Sequence, residues 1–148
     1  MTDFVQIITA AIGTLGFGIL FNVRGKKLAA VTVAGGIFWA LFLVLCGLGA
    51  SEVTAYFVCA VGISVFAELM ARAMKTPASV FITPSLIPFI PGSSLYYTLS
   101  YAFSGDVDLF AKKAISTLSL ASALAIGVIS ASAITRFAAR IVKRCDKT

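Results

Sequence analysis

Charged residues fall in short clusters along this chain, and between them lie uncharged stretches at 4–23, 28–51, 53–67, 76–105 and 114–135. A helix that crosses a bilayer needs roughly 20 apolar residues, so the pattern predicts helices near 4–21, 28–48, 53–72, 77–104 and 114–135. The third reaches spanning length only by continuing past Glu68 to about Arg72. The fourth contains Pro84, Pro88, Pro91 and Gly92 and is expected to be discontinuous. The fold class this predicts is an all-α integral membrane protein, with about five transmembrane helices in one domain over residues 1–148 and a basic tail at 136–148.

Composition removes the soluble alternatives. Of 148 residues, 59% are hydrophobic and 12% charged, against about 25% charged in an ordinary soluble domain, and the mean hydropathy is +1.01. Five spans leave no room for a separate soluble domain. The chain has no histidine, which excludes His-dependent triads and His-containing zinc sites; neither an enzyme nor a cofactor or metal site is expected. Cys46, Cys59 and Cys145 have no CxxC spacing and read as small core residues.

The net charge of +6 does not point to nucleic acid, because the basic residues sit at the ends of hydrophobic runs with no basic patch interleaved with aromatics. Arg24, Lys26 and Lys27 follow the first run, Arg72 and Lys75 the third, and Arg136, Arg140, Lys143, Arg144 and Lys147 the fifth. Asp3, Glu52, Asp106 and Asp108 fall on the opposite side, with Lys112 and Lys113 as the basic exceptions. The positive-inside rule then places the N-terminus outside and the C-terminus in the cytoplasm. The first run lacks a basic leader, so it is expected to stay as a membrane helix.

The most specific feature is the stretch from Thr83 to Tyr97. Pro84, Pro88 and Pro91 each lack a backbone N–H and clash with the preceding turn, so a break is expected at membrane depth, tolerated where it is buried in protein or lines a polar cavity. Gly92 can turn the chain and Ser93 or Ser94 can cap a new helix near Leu95. Such a helix start would suit an anion, with a carboxylate as the expected ligand. Pro88, Pro91, Gly92, Ser93, Ser94 and Tyr97 are therefore the candidate substrate-binding residues; a kinked helix with no ligand is the alternative.

Glu68 and Arg72 stand in the favourable i, i+4 order. A coupling or gating role and an ion pair that snorkels to the interface both account for them. Asp106 and Asp108 are read as helix caps that offset Lys112 and Lys113. Ser119, Ala123, Gly127, Ala131 and Thr135 form a ridge of small residues, suited to close packing against a partner or within the chain. An odd number of spans fits the inverted-repeat plan of many transporters. No internal repeat is visible, so a second half is expected on another copy or another protein.

Phe21-Asn22-Val23-Arg24 at the end of the first helix, then two apolar helices, then Pro88-Phe89-Ile90-Pro91-Gly92-Ser93-Ser94-Leu95-Tyr96-Tyr97 resemble the small-subunit half of the threonine/serine exporter family over essentially the whole chain. The resemblance implies a bacterial inner-membrane protein that joins a larger membrane subunit to expel small anionic or zwitterionic metabolites, threonine and serine in some members and succinate in others. Two other functions stay open: a homo-oligomeric exporter that binds cations at Glu68, and a scaffold subunit that only assembles a membrane complex.

Overall fold

The computed structural model describes residues 3–145, and all regular structure among them is helical. The helices are α1 (Asp3–Leu20), α2 (Lys26–Gly47), α3 (Glu52–Ala73), α4 (Ser79–Leu86), α5 (Gly92–Ser104) and α6 (Val107–Cys145), with a single 3-10 turn, Ile87–Phe89, after α4. Four of these helices, α1, α2, α3 and α6, are long and apolar enough to cross a membrane. The proline-rich stretch divides into α4, the 3-10 turn and α5.

Local chemistry sets the helix ends. α1 ends at Leu20 and the chain turns at Asn22, whose φ of 58° is one that Asn tolerates better than most residues, and the Val23 N–H closes the end by donating to the Gly18 carbonyl at 2.9 Å. Val23 is buried, which gives Phe21-Asn22-Val23-Arg24 a structural reason. Ser51 caps α3 by accepting from the Thr54 N–H at 3.2 Å. Gly105 ends α5 at φ 76°, and Asp106 caps α6 by accepting from the Leu109 N–H at 3.1 Å.

Close approaches fix how the helices pack. A Cβ on Gly18 would meet Leu28 and Val31, one on Gly35 would strike the Thr14 side chain, and one on Gly36 would touch Ala11; α1 and α2 are therefore antiparallel. Tyr56 clusters with Leu120, Gly127 lies against Ala60, and the Arg72 guanidinium donates to the Thr135 carbonyl at 2.9 Å. The residue numbers rise together, so α3 and α6 run parallel. α4 returns along α3, from Phe81 beside Ala67 to Phe89 beside Tyr56 and Cys59. α5 packs chiefly on α6, with the Thr98 and Thr117 hydroxyls 3.1 Å apart.

Three expectations need correction. α6 begins at Val107, not near 114, and it continues as helix to Cys145, through most of the stretch read as a basic tail; residues 146–148, with Lys147, lie outside the described residues. Lysine is a good helix former whose stem can run along apolar surface, so Lys112 and Lys113 lie within the helix instead of marking its start. α5 begins at Gly92, not Leu95, and neither Ser93 nor Ser94 caps it; Pro91 occupies the cap position with no side-chain hydrogen bond. Gly92 has an ordinary helical φ, because proline at the preceding position already turns the chain.

The small-residue ridge faces into the chain. Ala123, Gly127 and Ala131 are buried, Ser119 and Thr135 are half-buried, and a Cβ on Gly127 would lie 2.8 Å from the Ala60 Cβ. Gly62 makes the corresponding close approach to Phe38 of α2. Its replacement by Ala is expected to require only movement of the Phe38 ring, with a stability loss of about 1 kcal/mol readable in a denaturant titration in micelles; an unfolded variant would show that the ring cannot move.

Candidate functional site around the broken helix

Proline chemistry opens the site. Pro84 and Pro88 have no N–H, so the carbonyls one turn earlier, of Val80 and Pro84, lose their usual helical partners. Pro84 is nevertheless accommodated inside α4. The helix fails at Pro88, where the chain tightens into the 3-10 turn, and Ile90 then takes an extended conformation at φ −64°, ψ 122°. The Gly92 N–H donates back to the Ile90 carbonyl at 2.6 Å, and α5 starts immediately.

Phe89 anchors this break. It is fully buried, with ring centroids 5.4 Å from Trp39, 6.1 Å from Phe42 and 6.0 Å from Tyr56. Beside it lies a cavity of about 340 Å3 between α1, α2 and the break, lined by Val5, Gln6, Thr9, Ala10, Gly13, Trp39, Ile87 and Pro88. Its size falls in the range of small-ligand sites, which combine apolar walls with a few polar groups. Those groups are the Gln6 amide, the Thr9 hydroxyl, which donates to the Val5 carbonyl at 2.8 Å, and the Trp39 indole. The buried indole N–H of Trp39 has no hydrogen-bond partner, and neither has the buried Ser85 hydroxyl on α4. An unsatisfied buried donor is costly, so Trp39 in the lining and Ser85 on α4 carry two unspent polar groups within a largely apolar setting.

The residues singled out from the sequence separate into three places. Pro88 lines the cavity. Pro91, Gly92, Ser93 and Ser94 form the start of α5, with Gly92 and Ser93 exposed and Pro91 and Ser94 half-buried. No side chain caps this start and no acidic residue occupies its first turn; the positive end of the helix dipole is left to whatever approaches it. Tyr97 lies one turn further on, where it faces α6 with the Lys113 ammonium 6.0 Å from its ring.

Glu68 and Arg72 are not among the residues that line the cavity. Glu68 is buried and lies 3.8 Å from the half-exposed Arg72 guanidinium. Arg72 in turn binds the Thr135 carbonyl, tying α3 to α6. No group of three metal-binding side chains exists among the described residues. Gln6, Thr9 and Trp39 were not singled out from the sequence, since each is one polar group inside an apolar run, and only the packing of α1 on α2 brings them together.

Residues 6–134 match the model of the Threonine/Serine exporter family, ThrE. The chain belongs to the threonine/serine exporter family. It is thus a component of a transporter family, not an enzyme family, and its apolar helices make it a multi-pass membrane protein. It is 28% identical over 147 residues to a probable threonine/serine exporter of Mycobacterium tuberculosis (strain ATCC 25618 / H37Rv), covering 93% of this chain and 28% of that relative. The exporter-family chain therefore spans less than a third of the relative's length. No solved structure matches it.

Proposed function

We propose that this chain is the smaller membrane component of a two-component secondary exporter of small carboxylate-bearing metabolites, threonine and serine or succinate, in a bacterial inner membrane. The observation that carries the reading is the broken fourth segment, which sets an uncapped helix start at Gly92, four residues beyond the cavity-lining Pro88. The substrate carboxylate would meet the amides around Gly92, Ser93 and Ser94 while its body occupies the cavity bounded by Gln6, Thr9, Trp39 and Pro88. Half-helix N-termini serve anionic groups in this way in secondary transporters. The remaining wall would come from a larger subunit, whose movement against this one gives alternating access, with the N-terminus outside and the C-terminus in the cytoplasm.

The chain has no glycine-rich phosphate-binding loop, so the work would come from an ion or substrate gradient. Glu68 and Arg72 are the candidates for coupling, through their tie between α3 and α6. The pairing of Glu68 with Arg72 argues against a cation substrate at Glu68.

Efflux from cells preloaded with labelled threonine, serine or succinate tests the reading. Export is expected only when this chain is expressed with a larger subunit of the same family; export by the chain alone, or by neither combination, would overturn the two-component reading. Gly92→Leu supplies a second test. A Cβ at Gly92 meets nothing within 4 Å, so the variant is expected to assemble normally while export falls about tenfold, the loss of roughly 1.4 kcal/mol of binding. Undiminished export would remove the helix start from the pathway.

A further inference from the structure

We infer that the groove between α5 and the first turns of α6 is a binding site for an oxyanion, a phosphate or a carboxylate, held by Lys112, Lys113, Tyr97, Tyr101 and Ser116. A cavity of about 380 Å3 is lined by these five residues and Leu109. It is distinct from the cavity at the break, and the inference does not depend on the transport reading.

Charge sets the class of ligand. Lys112 and Lys113 both line one cavity, and among the described residues neither has a carboxylate within 4 Å. Asp108, the nearest acidic residue in sequence, stands four residues before Lys112 but makes no ion pair with it within 4 Å, and Asp106 is engaged in capping α6 through the Leu109 N–H. Lys113 is half-buried and its ammonium lies 6.0 Å from the centroid of the Tyr97 ring. That distance is at the outer limit of a cation–π contact and leaves the ammonium donors unspent. Two cations on the wall of one cavity favour an anion inside it.

The hydroxyls support the same reading. Along α6, Thr117, Ser119, Ser122, Ser130 and Thr135 each donate to the carbonyl four residues back. Ser116 and Ser132 make no such bond, and Ser116 lines the cavity. The Tyr97 and Tyr101 rings stack at 6.5 Å between centroids, which places two phenol groups along the same wall. Hydrogen bonds from hydroxyls and ammonium groups to an ionised oxygen are the strong kind. The lysines stand immediately before the uncharged run 114–135, at the level where lipid phosphates lie. A lipid headgroup and a small free anion are both sources of the required oxygen.

The experiment uses the full chain in nanodiscs and reads protection of individual lysines from amine acylation by mass spectrometry. One arm titrates inorganic phosphate and sodium succinate at constant ionic strength into phosphatidylcholine discs; the other replaces part of the phosphatidylcholine with phosphatidylglycerol. Saturable protection of Lys112 and Lys113, with Lys26 and Lys27 unaffected, is the expected result. Its appearance with phosphatidylglycerol alone identifies a lipid phosphate, and its appearance with the soluble anions identifies a free ligand. Tyr97→Phe keeps the ring and is expected to weaken the apparent affinity about tenfold, as loss of one bond to a charged group does. Absence of saturable protection in both arms, equal protection at Lys26 and Lys27, or unchanged affinity in Tyr97→Phe would overturn the assignment.

Discussion

Phe89→Ala is expected to lower stability by about 3–5 kcal/mol, the cost of truncating a fully buried aromatic. Phe89 sits on the 3-10 turn and meets Trp39, Phe42 and Tyr56 at ring centroid distances of 5.4, 6.1 and 6.0 Å. The Phe42 and Tyr56 contacts are close to perpendicular, the edge-to-face arrangement that adds to simple burial. Leu120 and Ala123 of α6 close the same cluster, so one side chain joins the break to α2, α3 and α6. Loss of the ring removes contacts that lipid cannot replace, because the cavity left behind is enclosed by protein. The measurement is a denaturant titration in micelles followed by the emission of Trp39, the one tryptophan, whose own environment includes Phe89. Leu95→Ala, at a half-exposed position, is the control and is expected to change stability little. Equal midpoints for the two variants would show that the turn is not held by its aromatic anchor.

The chain's division into apolar helices was legible because charge is rare and falls at helix ends. The same rule misplaced the start of α6: Lys112 and Lys113 look like a boundary, yet their stems allow the helix to begin at Val107. Serines at 93 and 94 follow a proline and a glycine, a pattern that suggests a capped start. Proline itself holds the cap position, because its fixed φ suits the entry to a helix and its missing N–H costs nothing there. The Glu68 and Arg72 pair follows from i, i+4 spacing, whereas the bond from Arg72 to the Thr135 carbonyl joins residues far apart in sequence and leaves no local signal. The same holds for the cavity at the break. Its proline was visible as a helix breaker, but Gln6, Thr9 and Trp39 reach it only through the crossing of α1 and α2 set by Gly35 and Gly36.

Gly127→Leu is expected to separate α3 from α6 and so remove the folded state that any partner would recognise. A Cβ at position 127 would lie 2.8 Å from the Ala60 Cβ, 3.0 Å from the Phe57 carbonyl oxygen and 3.4 Å from the Val61 nitrogen. Two of these three neighbours are main-chain atoms of α3, which cannot swing aside as a side chain can. Overpacking commonly costs about 1–3 kcal/mol, occasionally more, and a rigid opposing helix puts this position at the upper end. The consequences extend along the parallel pair: Leu120 and Ala123 above would lose their contact with Tyr56 and Cys59, and Thr135 below would move from Arg72. Gly127→Ala carries only the first part of the clash and is expected to cost less than the leucine. Gly92→Leu, with open space around its Cβ, is expected to match the unaltered chain. Thermal aggregation midpoints in micelles order the four proteins, and a disulfide between Ala60→Cys and Gly127→Cys reports the approach of α3 and α6 directly. A midpoint for Gly127→Leu equal to that of Gly92→Leu would mean that α6 does not lie against α3, and the small-residue ridge would then be available to a partner.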